Sequence, residues 1–319
     1  MAGAEEAAGA GAPGPAVAPA HDAAEGVRHA AGTTFTLLAA LGFAAVSTLT
    51  SVAITHGASL ANVLAWRYVL ASVVLGTFVG ARGYPRLPGR EVAQFLVIGG
   101  GGQALFLALA LSSIAYIPVG TLAFLFYTYP AWVAVVQAVR GAEPLTARRS
   151  LALGLSFGGI VLIAGVPGSV GAAPGYWKGV ALALSAAVIY GGYIPTMLHL
   201  QKTHPVAVTS ALAKIGSAAC FLVWAVANRT FGYGLGAAAW GAIGTLAVFS
   251  TVLPSVLFLM GLIRLGPVRT AIVSTVEPFL TAVIGALVLA QPMTPRMLGG
   301  GALIVAAVVL LQFRRDRVA

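Results

Sequence analysis

Three ionisable residues sit where an ionised group is costly. Arg67, Lys214 and Glu277 each interrupt a long apolar run. A charge at the bilayer centre costs roughly 2.5 to 3.5 kcal/mol on insertion scales, so residues of this kind face a cavity or a partner. Glu277 offers a site for a proton or a substrate ammonium. The competing reading is a Lys214–Glu277 ion pair that only ties the bundle together, and the residue types leave both open. Arg67 has the geometry to grip a carboxylate or phosphate at two points, or to snorkel toward the outer headgroups. Tyr127 and Tyr129 lie beside Pro130, and Tyr190 and Tyr193 beside Gly191, Gly192 and Pro195. Aromatic faces next to backbone breaks suit a flat solute, although each ring taken singly is as compatible with packing or lipid contact. Gln103, beside Gly99 to Gly102, is a further polar candidate. With all three charges ionised the group carries +1, which favours an anionic or zwitterionic solute over a simple cation.

Other chemistry is poorly provided for. Gly154-Leu-Ser-Phe-Gly158 matches the G-x-S-x-G pattern of serine hydrolases, yet the strand-to-helix turn that pattern needs is missing, and no intramembrane His or Asp stands by as base for Ser156. His21, His29, His56, His199 and His204 lack metal-ligand spacing, and the single cysteine, Cys220, allows neither a disulfide framework nor a thiolate cluster. The expectation is therefore no enzyme, no cofactor and no bound metal.

The elements that must hold these residues follow from composition. Of 319 residues, 59% are hydrophobic and only 8% charged, against about 25% charged in a soluble chain. The net charge of +10 would suggest nucleic acid in a soluble protein; here it orients loops, and no nucleic-acid partner is expected. The expected fold class is an all-α integral membrane protein with ten transmembrane helices, at about 33–54, 62–81, 92–113, 117–138, 150–166, 177–198, 206–228, 238–263, 267–290 and 297–313. The runs are too long and too unalternating for barrel strands. Residues 1–32, rich in Ala, Gly and Pro and bearing Glu5, Glu6, Asp22 and Glu25, read as a disordered cytoplasmic tail, and residues 314–319 as a basic one. With both termini in the cytoplasm, 13 Lys and Arg residues fall on that side and 3 on the other, as the positive-inside rule demands. Arg outnumbers Lys 15 to 3 amid heavy Ala and Gly use, which points to a GC-rich bacterial genome and hence to the bacterial cytoplasmic membrane.

The chain also repeats itself. Ile117-Pro-Val-Gly-Thr121 matches Gly266-Pro-Val-Arg-Thr270, Glu143-Pro-Leu-Thr146 matches Gln291-Pro-Met-Thr294, and Pro130 matches Pro278, at spacings of 149, 148 and 148. Arg67 and Lys214 stand 147 apart. Five helices per half is odd, so equivalent helices would cross in opposite senses, giving an inverted repeat. The Gly99–Gly102, Gly158–Gly159 and Gly299–Gly301 clusters are expected to permit close helix packing.

These motifs are similar to those of the drug/metabolite transporter superfamily, in its ten-helix branch of two EamA-type domains. Arg67 in helix 2, Tyr116-Ile-Pro-Val-Gly-Thr121 at the helix 3 to 4 turn, Glu143-Pro-Leu-Thr146 before helix 5 and Glu277-Pro278 in helix 9 carry the resemblance. It spans residues 33–166 and 177–313, and Gln291 departs from it where the loop commonly has Glu. The resemblance implies a multi-pass transporter of a small-molecule solute, usually a metabolite exporter, embedded in membrane lipid, with protons as a conceivable coupling ion. A passive channel or pore is the alternative, and it would need a continuous polar stripe that the sequence lacks.

Overall fold

Backbone polar groups in hydrocarbon must bond within their own segment, and the chain answers with helices. The structure, a computed structural model, describes residues 18–84, 87–113, 115–117, 122, 125–164, 174–289 and 295–312. We number the helical rods α1 (Ala18–Thr55), α2 (Leu60–Ala81), α3 (Gly89–Ser113), α4 (Tyr129–Val139), α5 (Ala147–Ala164), α6 (Tyr176–Gln201), α7 (Val206–Ala227), α8 (Ala237–Leu265), α9 (Pro267–Val288) and α10 (Pro295–Gln312). Among the described residues there is no strand, and seven helices are long and apolar enough to cross a membrane. Most of motif 117–121, all of 291–294, and the termini 1–17 and 313–319 lie outside the described residues, as does Phe124.

Three features depart from the expected helices. First, α1 begins at Ala18, so residues 18–32 extend a helix and do not belong to a disordered tail. The segment is rich in alanine, the best helix former, and its end is packed: Gly32 lies against Arg264 and Leu265 of α8. Second, α3 and α8 each contain a π-helical turn, Phe95–Gly101 and Val248–Val252. Third, α9 is interrupted after Ser274, with helix resuming at Glu277. The same interruption falls at Tyr127–Thr128 before α4. Proline explains both breaks, because Pro130 and Pro278 lack the N–H that would bond the carbonyl four residues back, and their rings clash with it.

Several packed pairs recur between the two halves. α1 packs on α8 and α9, as α6 packs on α3 and α4. α2 packs on α8, as α7 packs on α3, while α2–α7, α4–α9 and α5–α10 pair across the middle. Close approaches use the glycine clusters. A Cβ on Gly100 would come within 2.5 Å of Gly216 Cα, and one on Gly159 within 2.5 Å of the Gly300 carbonyl oxygen. Small residues let helix backbones meet where hydrophobicity alone provides no attraction.

Candidate functional site

A cavity of about 170 Å³ opens at the centre of the bundle. Seven of the eight residues singled out by chemistry line it: Arg67, Gln103, Tyr129, Tyr190, Tyr193, Lys214 and Glu277. The eighth, Tyr127, stands behind that wall, within electrostatic reach of the Glu277 carboxylate. It lines instead a second, apolar cavity with Pro130, Leu153, Ser156 and Thr275.

Each cation is held by the third helix of the opposite half. Arg67 of α2 is buried and does not snorkel. Its Nε donates to Thr251 Oγ1 at 2.5 Å and its Nη2 to the Ser250 carbonyl at 3.0 Å, both in the π-helical turn of α8. That carbonyl is free for a reason legible in the chain: Pro254, four residues on, has no N–H to give it. Lys214 of α7 donates from Nζ to Gln103 Oε1 at 2.9 Å on α3, just past the first π-helical turn. Ser217, one turn along α7, donates to the same oxygen at 3.1 Å and lies equally close to the Gly100 carbonyl. Lys214 therefore bonds Gln103, and the ion pair with Glu277 is not formed.

Both cations approach Tyr68, a residue that chemistry-based selection passed over although it adjoins Arg67. Its ring centroid is 5.4 Å from the Arg67 guanidinium carbon and 5.5 Å from Lys214 Nζ, within cation–π range of both. The opposite part of the wall is aromatic. Tyr190 stacks on Phe126 at 5.5 Å, meets Phe106 at 4.5 Å, and meets Tyr129 edge-on at 4.7 Å. Tyr193 anchors its hydroxyl on the Gly99 carbonyl at 3.0 Å. Phe43, Met197, Ser210 and Phe258 also line the cavity; in the sequence they are indistinguishable from lipid-facing or packed residues. Glu277 and Tyr129 are counterparts, each placed just after its helix break and just before its proline.

Ser156 sits within α5, 2% exposed, and accepts a hydrogen bond from Thr275 Oγ1 at 3.2 Å. It joins α5 to the break in α9 and has no nucleophile elbow around it.

Apolar rods surrounding a charged, aromatic-walled chamber define a multi-pass membrane transporter. The comparison with known proteins gives the particular family: residues 30–165 and 177–313 each match the EamA-like transporter family, and the chain belongs to it, within the drug/metabolite transporter superfamily. The uncharacterized transporter sll1319 of Synechocystis sp. is 27% identical over 219 residues, 66% of this chain and 64% of that one. YcbK, an uncharacterized transporter of Bacillus subtilis, is 27% identical over 271 residues, covering 82% of this chain and 86% of its own. A crystal structure superimposes with a TM-score of 0.77 at 20% identity, over 88% of this chain and 96% of the other, and shares the fold.

Proposed function

We propose that the protein exports a small amino-acid-like, zwitterionic or anionic solute, or a drug-like compound of that kind, by alternating access. In this reading ten spans form two inverted halves, residues 33–166 and 177–313, that rock about the central cavity. Both termini lie on the cytoplasmic side of a bacterial cytoplasmic membrane, in keeping with the 13 to 3 distribution of Lys and Arg. One observation carries the proposal: Arg67, Lys214 and Glu277, far apart in sequence and from both halves, meet around one aromatic-walled cavity. A chamber of this kind favours a carrier over a pore, because the cations are clamped in discrete bonds and do not form a continuous polar path.

The test is reconstitution into liposomes and counterflow against a panel of amino acids, nucleosides and drug-like compounds. Saturable counterflow by a zwitterion or anion is the expected result. Unsaturable flux or single-channel current from the purified protein would replace the carrier with a pore. Protons are the proposed coupling ion, with Glu277 as the group that binds them.

A further inference from the structure

Resting on the transporter reading above, we propose that Arg67 and Lys214 form one oxyanion subsite over Tyr68. The carried solute is then a small organic anion with a carboxylate or phosphate head and a flat or apolar body, and not a cation. The two cations are buried, 5% and 3% exposed, and each is bonded only to neutral groups. The ion pairs among the described residues lie elsewhere, at Arg149–Glu143 and His204–Glu91. Donors remain unused: Lys214 has three N–H groups and bonds one acceptor, and Arg67 has five and bonds two.

Both charges lie within 5.5 Å of one ring centroid, so they repel each other inside a wall of low dielectric. An anion between them removes that repulsion and fills the spare donors; a cation adds to it. Ser210 supplies a second pointer. It lines the same cavity, is 1% exposed, and its hydroxyl has no partner. Glu277, in electrostatic reach of Arg67, repels an oxyanion from the α9 side and so steers the head toward Tyr68. The Phe106–Phe126–Tyr190 cluster then receives the body of the solute.

Each half contributes one of the cations, and each cation is bonded to the other half. A head group touching both therefore spans the interface between halves, so that binding acts on their relative position.

Titration calorimetry on the purified full-length protein, using probes of nearly one shape, tests the assignment. Benzoate, benzamide and benzamidinium carry charges of about −1, 0 and +1, and phenyl phosphate replaces the carboxylate by a phosphate. Benzoate or phenyl phosphate should bind at least ten-fold more tightly than benzamide, with benzamidinium weakest; the tighter of the two anions identifies the head. Arg67→Gln and Lys214→Gln should each remove that preference while benzamide still binds, and Lys214→Arg should keep it, which separates lost charge from lost fold. Equal binding of benzoate and benzamide, tighter binding of benzamidinium, a preference that survives the double Gln variant, or no anion binding at millimolar concentration would each overturn the subsite. Saturable counterflow of a cation would overturn it and leave the carrier standing, whereas intact anion preference without any counterflow would do the reverse.

Discussion

Gly100→Ala should damage the site without touching a charged residue. The new Cβ would lie 2.5 Å from Gly216 Cα and 2.6 Å from Ser217 N, where ordinary contact begins near 3.4 Å. The obstruction is backbone on both sides and has no rotamer to yield, so α3 and α7 must part by about 0.9 Å at that level. The same displacement carries the Lys214–Gln103 hydrogen bond from 2.9 Å to roughly 3.8 Å, beyond hydrogen-bond length. Overpacking of this kind costs about 1 to 3 kcal/mol, and the lost bond frees Lys214 from its anchor. Gly101→Ala is the internal control: it lies in the same π-helical turn and has nothing within 4 Å of the added carbon. That change should be neutral or gain up to about 1 kcal/mol from restricting the backbone. Thermal unfolding in detergent and counterflow in liposomes read both. Gly100→Ala is expected to melt several degrees lower and to carry solute poorly, and Gly101→Ala to match the parent. Equal behaviour of the two variants would refute the claim that the α3–α7 approach sets the position of Lys214.

Three further outcomes follow from the same geometry. Asn62→Leu removes both hydrogen bonds to Gly232, at 2.9 and 3.2 Å, and leaves only Trp66 holding that carbonyl; it should cost about 1 to 2 kcal/mol and speed cleavage of the 228–236 loop by added protease, whereas unchanged protection would show that the loop is held by Trp66 packing alone. In a Cys220→Ser background, an impermeant maleimide added outside intact cells should label Asn228→Cys and not Gly141→Cys, and the opposite pattern would reverse the proposed orientation. Glu277→Gln should fold normally yet lose its response to an imposed pH gradient, and undiminished proton-driven flux would remove Glu277 from coupling.

Most of the fold was legible because the bilayer leaves so few choices. Apolar runs of about 20 residues locate the rods, and Pro130 and Pro278 announce both the duplication and the breaks it carries. Arg67, Lys214 and Glu277 stand out in the sequence for the same reason, because a charge in an apolar run is costly, and all three line the central cavity. Tyr68 does not stand out, because an aromatic residue inside a helix looks the same whether it faces a neighbour, lipid or a cavity. The π-helical turns were hidden as well. Pro254 and Gly99–Gly102 mark weak points in the i to i−4 ladder, but whether such a point kinks, widens or is spanned depends on what fills the freed carbonyls. Here the fillers are Arg67, Ser217 and Tyr193, from helices distant in sequence. The helical stretch 18–32 was missed because it continues a run rich in Ala, Gly and Pro that resembles a tail, while its end packs through Gly32 on α8.

The reciprocal anchoring of the two cations bears on how such a bundle would move. Arg67 belongs to the first half and bonds α8; Lys214 belongs to the second and bonds α3. The two arrangements are counterparts but not copies, since Arg67 bonds within its π-helical turn and Lys214 just past the other. Under the proposed alternating access, two halves of like fold exchange their shapes when the chamber opens to the other face. The exchange would slide Lys214 back toward the glycine carbonyls of the turn in α3, and Arg67 forward toward Ser255, which follows the turn in α8 and already lines the cavity. Cysteines at Gly101 in α3 and Gly192 in α6, and at Gly76 in α2 and Gly244 in α8, have open space around them and can carry spin labels. Each pair joins the two halves, so solute should change both distances. Distances that solute leaves unchanged would mean that the halves do not move against each other.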